Sequence, residues 1–139
     1  MKPKDYLMQI RHAKRRIKEI ETEILEIREA MTSLSCWLGS GGSPSSNQEI
    51  KSPQEKLMNQ LLEHEEMLAD EQRHYFGLKR LIVGQIDAVD NDVYRNLLYA
   101  RYVENKRLEQ IAVDLGYSYD HVRRIHGRAL CDFGNKYQI

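Results

Sequence analysis

The stretch Leu108–Leu130, "LEQIAVDLGYSYDHVRRIHGRAL", decides how this chain is read. Ile111 and Leu115 recur at a helical step, and so do Val122 and Ile125, which gives two amphipathic helices with facing apolar sides. Ala112 is small enough to let the two helices cross closely. Gly116, four residues later, suits a tight turn that needs a positive φ. Ser118 stands where a cap for the second helix belongs, and Asp120 falls in the first turn, where the helix dipole favours an anion. A small residue, a glycine four positions on, and a newly capped helix form the spacing of a helix-turn-helix.

Rotating the second helix at about 100° per residue sorts its side chains. Val122, Ile125, Ala129 and Phe133 share one face, with Leu130 at its edge. Asp120, Arg124 and Gly127 point the opposite way, flanked by His121 and Arg128 on one side and Arg123 on the other. On an isolated helix, such arginines are an ordinary solvated surface. In a helix-turn-helix they line the face that enters the major groove, where guanidinium groups pair with guanine or hold phosphates. An outward Gly127 lets the helix approach a groove closely; its plainer reading is a tolerated glycine costing about 1 kcal/mol.

Working upstream, "VYRNLLYARYV" (93–103) reads as a helix with Val93, Leu97, Leu98 and Tyr102 inward and Asp90 or Asn91 as its cap. "ENK" (104–106) is a turn, and residues 107–115 and 119 to about 134 are the helices of the opening motif. Farther back, Tyr6, Ile10, Ala13, Ile17, Ile20, Ile24, Ile27, Met31, Leu34 and Leu38 follow at alternating steps of four and three, a heptad stripe that predicts one long helix over about 3–38. "GSGGSPSSNQEIKS" (39–52) has the composition of a flexible connector. "SPQE" (52–55) then starts a second long helix, with Ser52 as cap, Pro53 at the first position and Glu55 where a capping-box carboxylate sits. Its stripe is Leu57, Leu61, His64, Leu68, Glu71, Tyr75, Leu78, Ile82, Gln85 and Val89. In this stripe His64 reads as a hydrogen-bonded core or register residue rather than a metal ligand.

The predicted fold is therefore all-α: a long antiparallel helical (coiled-coil) hairpin over 1–89, then a three-helix helix-turn-helix domain over 90–139. A two-helix hairpin leaves Leu7, Leu25, Leu62 and Met67 partly exposed off the seam. The hairpin is expected to pack on the rest of the chain or on a second copy.

Among its 139 residues, 21 Lys/Arg balance 21 Asp/Glu, so the formal net charge is zero. That balance argues weakly against nucleic-acid binding by the whole surface and says nothing about local patches. The charge is in blocks: residues 1–18 carry seven Lys/Arg and one Asp, and residues 19–29 carry five Glu and one Arg. "RHAKRRIK" (11–18) is either a solvated hairpin face opposite the acids Glu63 to Glu71 or an auxiliary phosphate contact. An antiparallel hairpin brings residues near 15 opposite those near 75–80, so the charges match only in part. No apolar run approaches the length of a membrane span. The opening "MKPKDYLMQIRHAKRR" lacks the apolar core of a secretory signal. Cys36 and Cys131 form no CxxC pair and read as two reduced thiols of a cytoplasmic chain.

"RLEQIAVDLGYSYDHVRRIHGRAL" (107–130) resembles the region of sigma-70-type factors that reads the promoter −35 element, sharing the L-E-x-I-A, L-G-x-S, V-R-x-I and A-L elements. The resemblance covers about residues 91–134. "LLYARYVENKRLEQIA" and "IHGRAL", after a basic-then-acidic long helix and a Ser/Gly loop, are more narrowly similar to the RinA/ArpU-like late-gene activators of temperate phages of Gram-positive bacteria. The resemblance implies base reading at Tyr119, Asp120 and Arg124, and phosphate contacts at Arg123 and Arg128, with His121 beside them. Tyr119 and His121 stand where sigma factors often carry arginine, so a −35-like preference does not follow. The sigma elements for the −10 promoter element are absent.

The expected partners are double-stranded DNA at a promoter or operator, host RNA polymerase, and a second copy of the chain; no membrane is expected. One alternative is an interaction module that grips RNA polymerase or a sigma factor without reading DNA. Another is a DNA-packaging recognition subunit, in which such helices usually lead the chain. His12, His64, His74, His121 and His126 show no metal spacing, and no cysteine pair supports them. With no GxGxxG, no P-loop, and Glu65–Glu66 on a solvated face, neither an enzyme nor a cofactor is expected.

Overall fold

A computed structural model describes residues 1–38 and 52–139. Apart from Ser52, the connector expected over 39–52 lies outside the described residues. Those residues form five α-helices and no strand: α1 (Pro3–Leu38), α2 (Pro53–Asp87), α3 (Asp92–Leu98), α4 (Leu108–Leu115) and α5 (Tyr119–Tyr137). The all-α expectation holds, with a long N-terminal helix pair. Among the described residues no helix is long and apolar enough to cross a membrane.

Local chemistry sets most boundaries. Pro3 opens α1, where its missing N–H costs nothing. Ser52 Oγ accepts from the Glu55 amide at 3.2 Å and starts α2. Asn91 Oδ1 accepts from the amides of Val93 (2.9 Å) and Tyr94 (3.2 Å), which selects Asn91 over Asp90 as the cap of α3. Beyond Leu98 the helix widens into a π-helical turn over Tyr99–Val103, closed by the Glu104 amide on the Tyr99 carbonyl at 3.1 Å. Residues 93–103 are thus helical as expected, with a π-helical turn that the sequence reading did not distinguish. Asn105, with φ 57°, then reverses the chain within the expected "ENK" turn.

The chain divides into two compact units, Met1–Lys14 with His74–Ile139, and Arg15–Arg73. The boundary expected at residues 89 and 90 lies inside the first unit. Its physical reason is Val89, which is buried with Leu7, Ile10, Ile82 and Ile86 in one cluster that also holds Leu98, Tyr102, Ala129 and Phe133. The ends of the two long helices thus share a core with the C-terminal helices. Leu7, expected to be partly exposed, is fully buried there. Within this unit Tyr6 donates to Gln85 Oε1 at 2.6 Å, a side-chain hydrogen bond that joins α1 to α2.

The second unit, Arg15–Arg73, holds the remaining described parts of α1 and α2. Ile20 and Ile24 are its buried seam, with Ile17, Ile27, Leu57, Leu61 and Leu68 half-buried around them. Arg28 pairs with Glu65 at 3.0 Å. His64 is half-buried and hydrogen-bonded: its Nε2 lies 2.9 Å from the Glu23 carboxylate and its Nδ1 2.8 Å from the Gln60 carbonyl. Leu25 and Leu62 stay more than half exposed, and Met67 is exposed as well.

Candidate nucleic-acid interface

The first unit contains a second, smaller core that fixes the geometry of α4 and α5. Leu97, Ile111, Ala112, Val122 and Ile125 are buried together, with Val93, Leu108 and Leu115 packed around them. Ala112 is the small residue at the crossing. Gly116 follows α4 at φ 71°, and the amides of Gly116 and Tyr117 return to the carbonyls of Val113 (3.2 Å) and Ala112 (3.0 Å). That double closure is a Schellman ending, and its left-handed residue is where glycine is needed. Three residues, Gly116–Ser118, make the turn. Ser118 Oγ then accepts the His121 amide at 3.2 Å and starts α5.

One face of α5 is wholly committed to packing: Val122, Ile125, Ala129 and Phe133 are all buried. Tyr119, Asp120, His121, Arg123, Arg124 and Arg128, the six residues singled out from the sequence, are all exposed on its other sides. Among the described residues, none of Arg123, Arg124 and Arg128 takes part in an ion pair. Arg123 lies over the Tyr119 ring, 5.9 Å from its centroid, and His121 meets Tyr117 edge-on with ring centroids 4.8 Å apart. These contacts preorder two side chains at the N-terminal end of the helix. Asp120, Arg123 and Arg124 border one shallow concavity. A Cβ on Gly127 would meet nothing within 4 Å, so packing inside the chain does not require a glycine there.

Chemically, this face offers planar forks of donors and one carboxylate acceptor. Guanidinium groups suit the O6 and N7 acceptors of guanine or phosphate oxygens, and a carboxylate suits the N4 amine of cytosine. Tyr94 of α3, Cys131, Asp132 and Asn135 extend the face along a second concavity shared with Arg124 and Arg128. Sequence reasoning missed these four. Cys131 and Asn135 stand seven residues beyond Arg124 and Arg128, so helix rotation could have found them. Tyr94 carries no such local signal.

His126 belongs to the same helix but not to its exposed face. It is half-buried, and its Nε2 lies 2.8 Å from the Tyr102 hydroxyl. Burial first, then the positive charges of Arg101 and Lys4, push its pKa down to about 4. Its neutral ring therefore belongs to the packing between the π-helical turn and α5, and the exposed cations of the segment are the arginines.

Comparison with protein-family models, with curated proteins and with solved structures finds no match for this chain.

Proposed function

We propose that this chain is a sequence-specific double-stranded DNA-binding protein that regulates transcription, and that α5 is its reading helix. The observation that carries this proposal is the arginine face. Three exposed guanidinium groups, without ion-pair partners among the described residues, stand on a helix whose opposite face is buried, directly after a three-residue turn with a left-handed glycine. Arg124 is the central base contact, with Tyr119 and Asp120 beside it. Arg123, Arg128 and His121 hold the flanking backbone. The likeness to sigma region 4 and to RinA/ArpU-like activators supports the more specific role of a phage late-gene activator working with host RNA polymerase in the bacterial cytoplasm. A homodimer belongs to the same proposal, because one such helix reads only a few base pairs and useful specificity favours two copies.

Titration of the full-length chain against a fluorescent duplex over a range of salt concentrations tests the proposal. Binding is expected to weaken linearly in log–log form, because neutralised phosphates release counterions. Absence of duplex binding, together with retained binding to RNA polymerase, would instead support an interaction module that does not touch DNA.

A further inference from the structure

The zero net charge of the chain conceals an even split between its two compact units. The unit 1–14 with 74–139 holds 14 Lys/Arg against 9 Asp/Glu, a net of +5, while 15–73 holds 7 against 12, a net of −5. In the first unit the surplus is not confined to α5. The parts of α1 and α2 within it, with the two residues before α1, carry Lys2, Lys4, Arg11, Lys14, Lys79 and Arg80 against only Asp5 and Asp87. Among the described residues none of those six cations is in an ion pair.

The register accounts for this. Tyr6 on Gln85 aligns the two helices, and the next residue of each, Leu7 and Ile86, is fully buried in the cluster that includes Ala129 and Phe133 of α5. Leu7 and Ile86 therefore mark the flank on which the C-terminal helices dock. Seven residues after Leu7 on α1 and seven before Ile86 on α2, about two turns in each case, that flank carries Lys14 and Lys79. Lys4 and Arg11 fall with Leu7 and Lys14 inside an arc of about 80° on α1. Within the other unit, Glu65 is engaged by Arg28 and Glu23 by His64. Like charges gathered on one flank repel one another unless an anion sits among them. From Lys4 to Lys14 is about 15 Å along the helix, roughly four base-pair steps of one DNA strand.

We propose that Lys4, Arg11, Lys14 and Lys79 form a second phosphate-binding surface that grips the backbone of the duplex whose bases α5 reads. This rests on the DNA-binding reading above and adds to it a contact outside the helix-turn-helix. Phosphate contacts carry no sequence information. The surface contributes affinity and salt dependence and leaves the preferred sequence unchanged.

The experiment compares full-length wild type with Arg11→Gln/Lys14→Gln and Lys4→Gln/Lys79→Gln, titrating one mixed-sequence fluorescent duplex at several salt concentrations. Arg28→Gln/Lys56→Gln removes two positive charges from the acidic unit and serves as the control. Each of the first two variants is expected to flatten the log–log salt slope by about 1 to 2 and to bind about fivefold more weakly per lost contact at 0.15 M salt. The control keeps the wild-type slope. Wild-type slopes and affinities in both test variants, or an equal loss in the control, overturn the second surface and leave the α5 reading standing. Failure of wild type to bind any duplex overturns both. Matched helical circular dichroism among the variants assigns any loss to charge rather than folding.

Discussion

The Tyr102 hydroxyl lies 2.8 Å from Nε2 of His126, and the two rings stack with centroids 5.8 Å apart. One residue is on the π-helical turn and the other on α5, so the pair ties the two elements together. Burial pushes the phenol pKa up to about 12 and, with Arg101 and Lys4, the imidazole down to about 4. A histidine in an unfolded chain titrates near about 6.5. Between roughly pH 6.5 and 4 the unfolded chain therefore binds the extra proton, and stability falls as pH falls through that window. The full shift corresponds to about 3 kcal/mol, and partial exposure of the ring cuts this to about 1–2 kcal/mol. Urea unfolding at pH 7 and at pH 4.5 measures it. Wild type should lose about 1–2 kcal/mol more than His126→Gln; equal losses would remove His126 from the account.

Gly134 reports the close approach of α5 to the start of α1. A Cβ there would lie 2.6 Å from Cγ of Pro3, and a proline ring cannot swing aside. Gly134→Ala is expected to destabilise the chain by about 1–3 kcal/mol. In a Pro3→Ala background the obstruction is gone, and the same change should be neutral or stabilising by up to about 1 kcal/mol, as for other helix glycines. A double-mutant cycle by chemical denaturation checks the coupling; additive effects would mean that the contact is not made.

What was legible in the sequence was local. Gly116, Ala112, Ser118 and the buried face of α5 could be read because turn chemistry, capping and a 3.6-residue period act within a few residues. The six exposed side chains of the candidate interface follow from the same periodicity. Burial of Leu7 was not legible, because a heptad pattern shows which residues leave the seam and not which distant helix covers them. Nor was the neutrality of His126, which depends on its burial and on the charges of Arg101 and Lys4 brought near it by the fold. The π-helical turn at Tyr99–Val103 has no marker in its residues, and Gly134 reads as any helix glycine until Pro3 is seen against it.

The contrast between Leu7 and its fellow off-seam residues is testable. Leu7 is fully buried, whereas Leu25 and Leu62 are 57% and 56% exposed. Leu7→Ala should cost about 2–5 kcal/mol, while Leu25→Ala in the dilute chain should stay within about 0.5 kcal/mol of wild type. If the chain dimerises through its hairpin, sedimentation of full-length protein will show a dimer that Leu25→Glu/Leu62→Glu dissociates. A strict monomer throughout would remove the dimer from the proposed function.

Selection from a random duplex pool, run in parallel with wild type, Arg124→Ala and Arg128→Ala, tests the central claim most directly. Wild type should enrich one motif. Arg124→Ala should lose discrimination at one or two positions of it, about 1–3 kcal/mol per base contact. Arg128→Ala should enrich the wild-type motif with weaker binding and a salt slope flatter by about 1. No enriched motif with wild type, or an unchanged motif and near-wild-type affinity with Arg124→Ala, would contradict the reading of α5 as the helix that recognises DNA sequence.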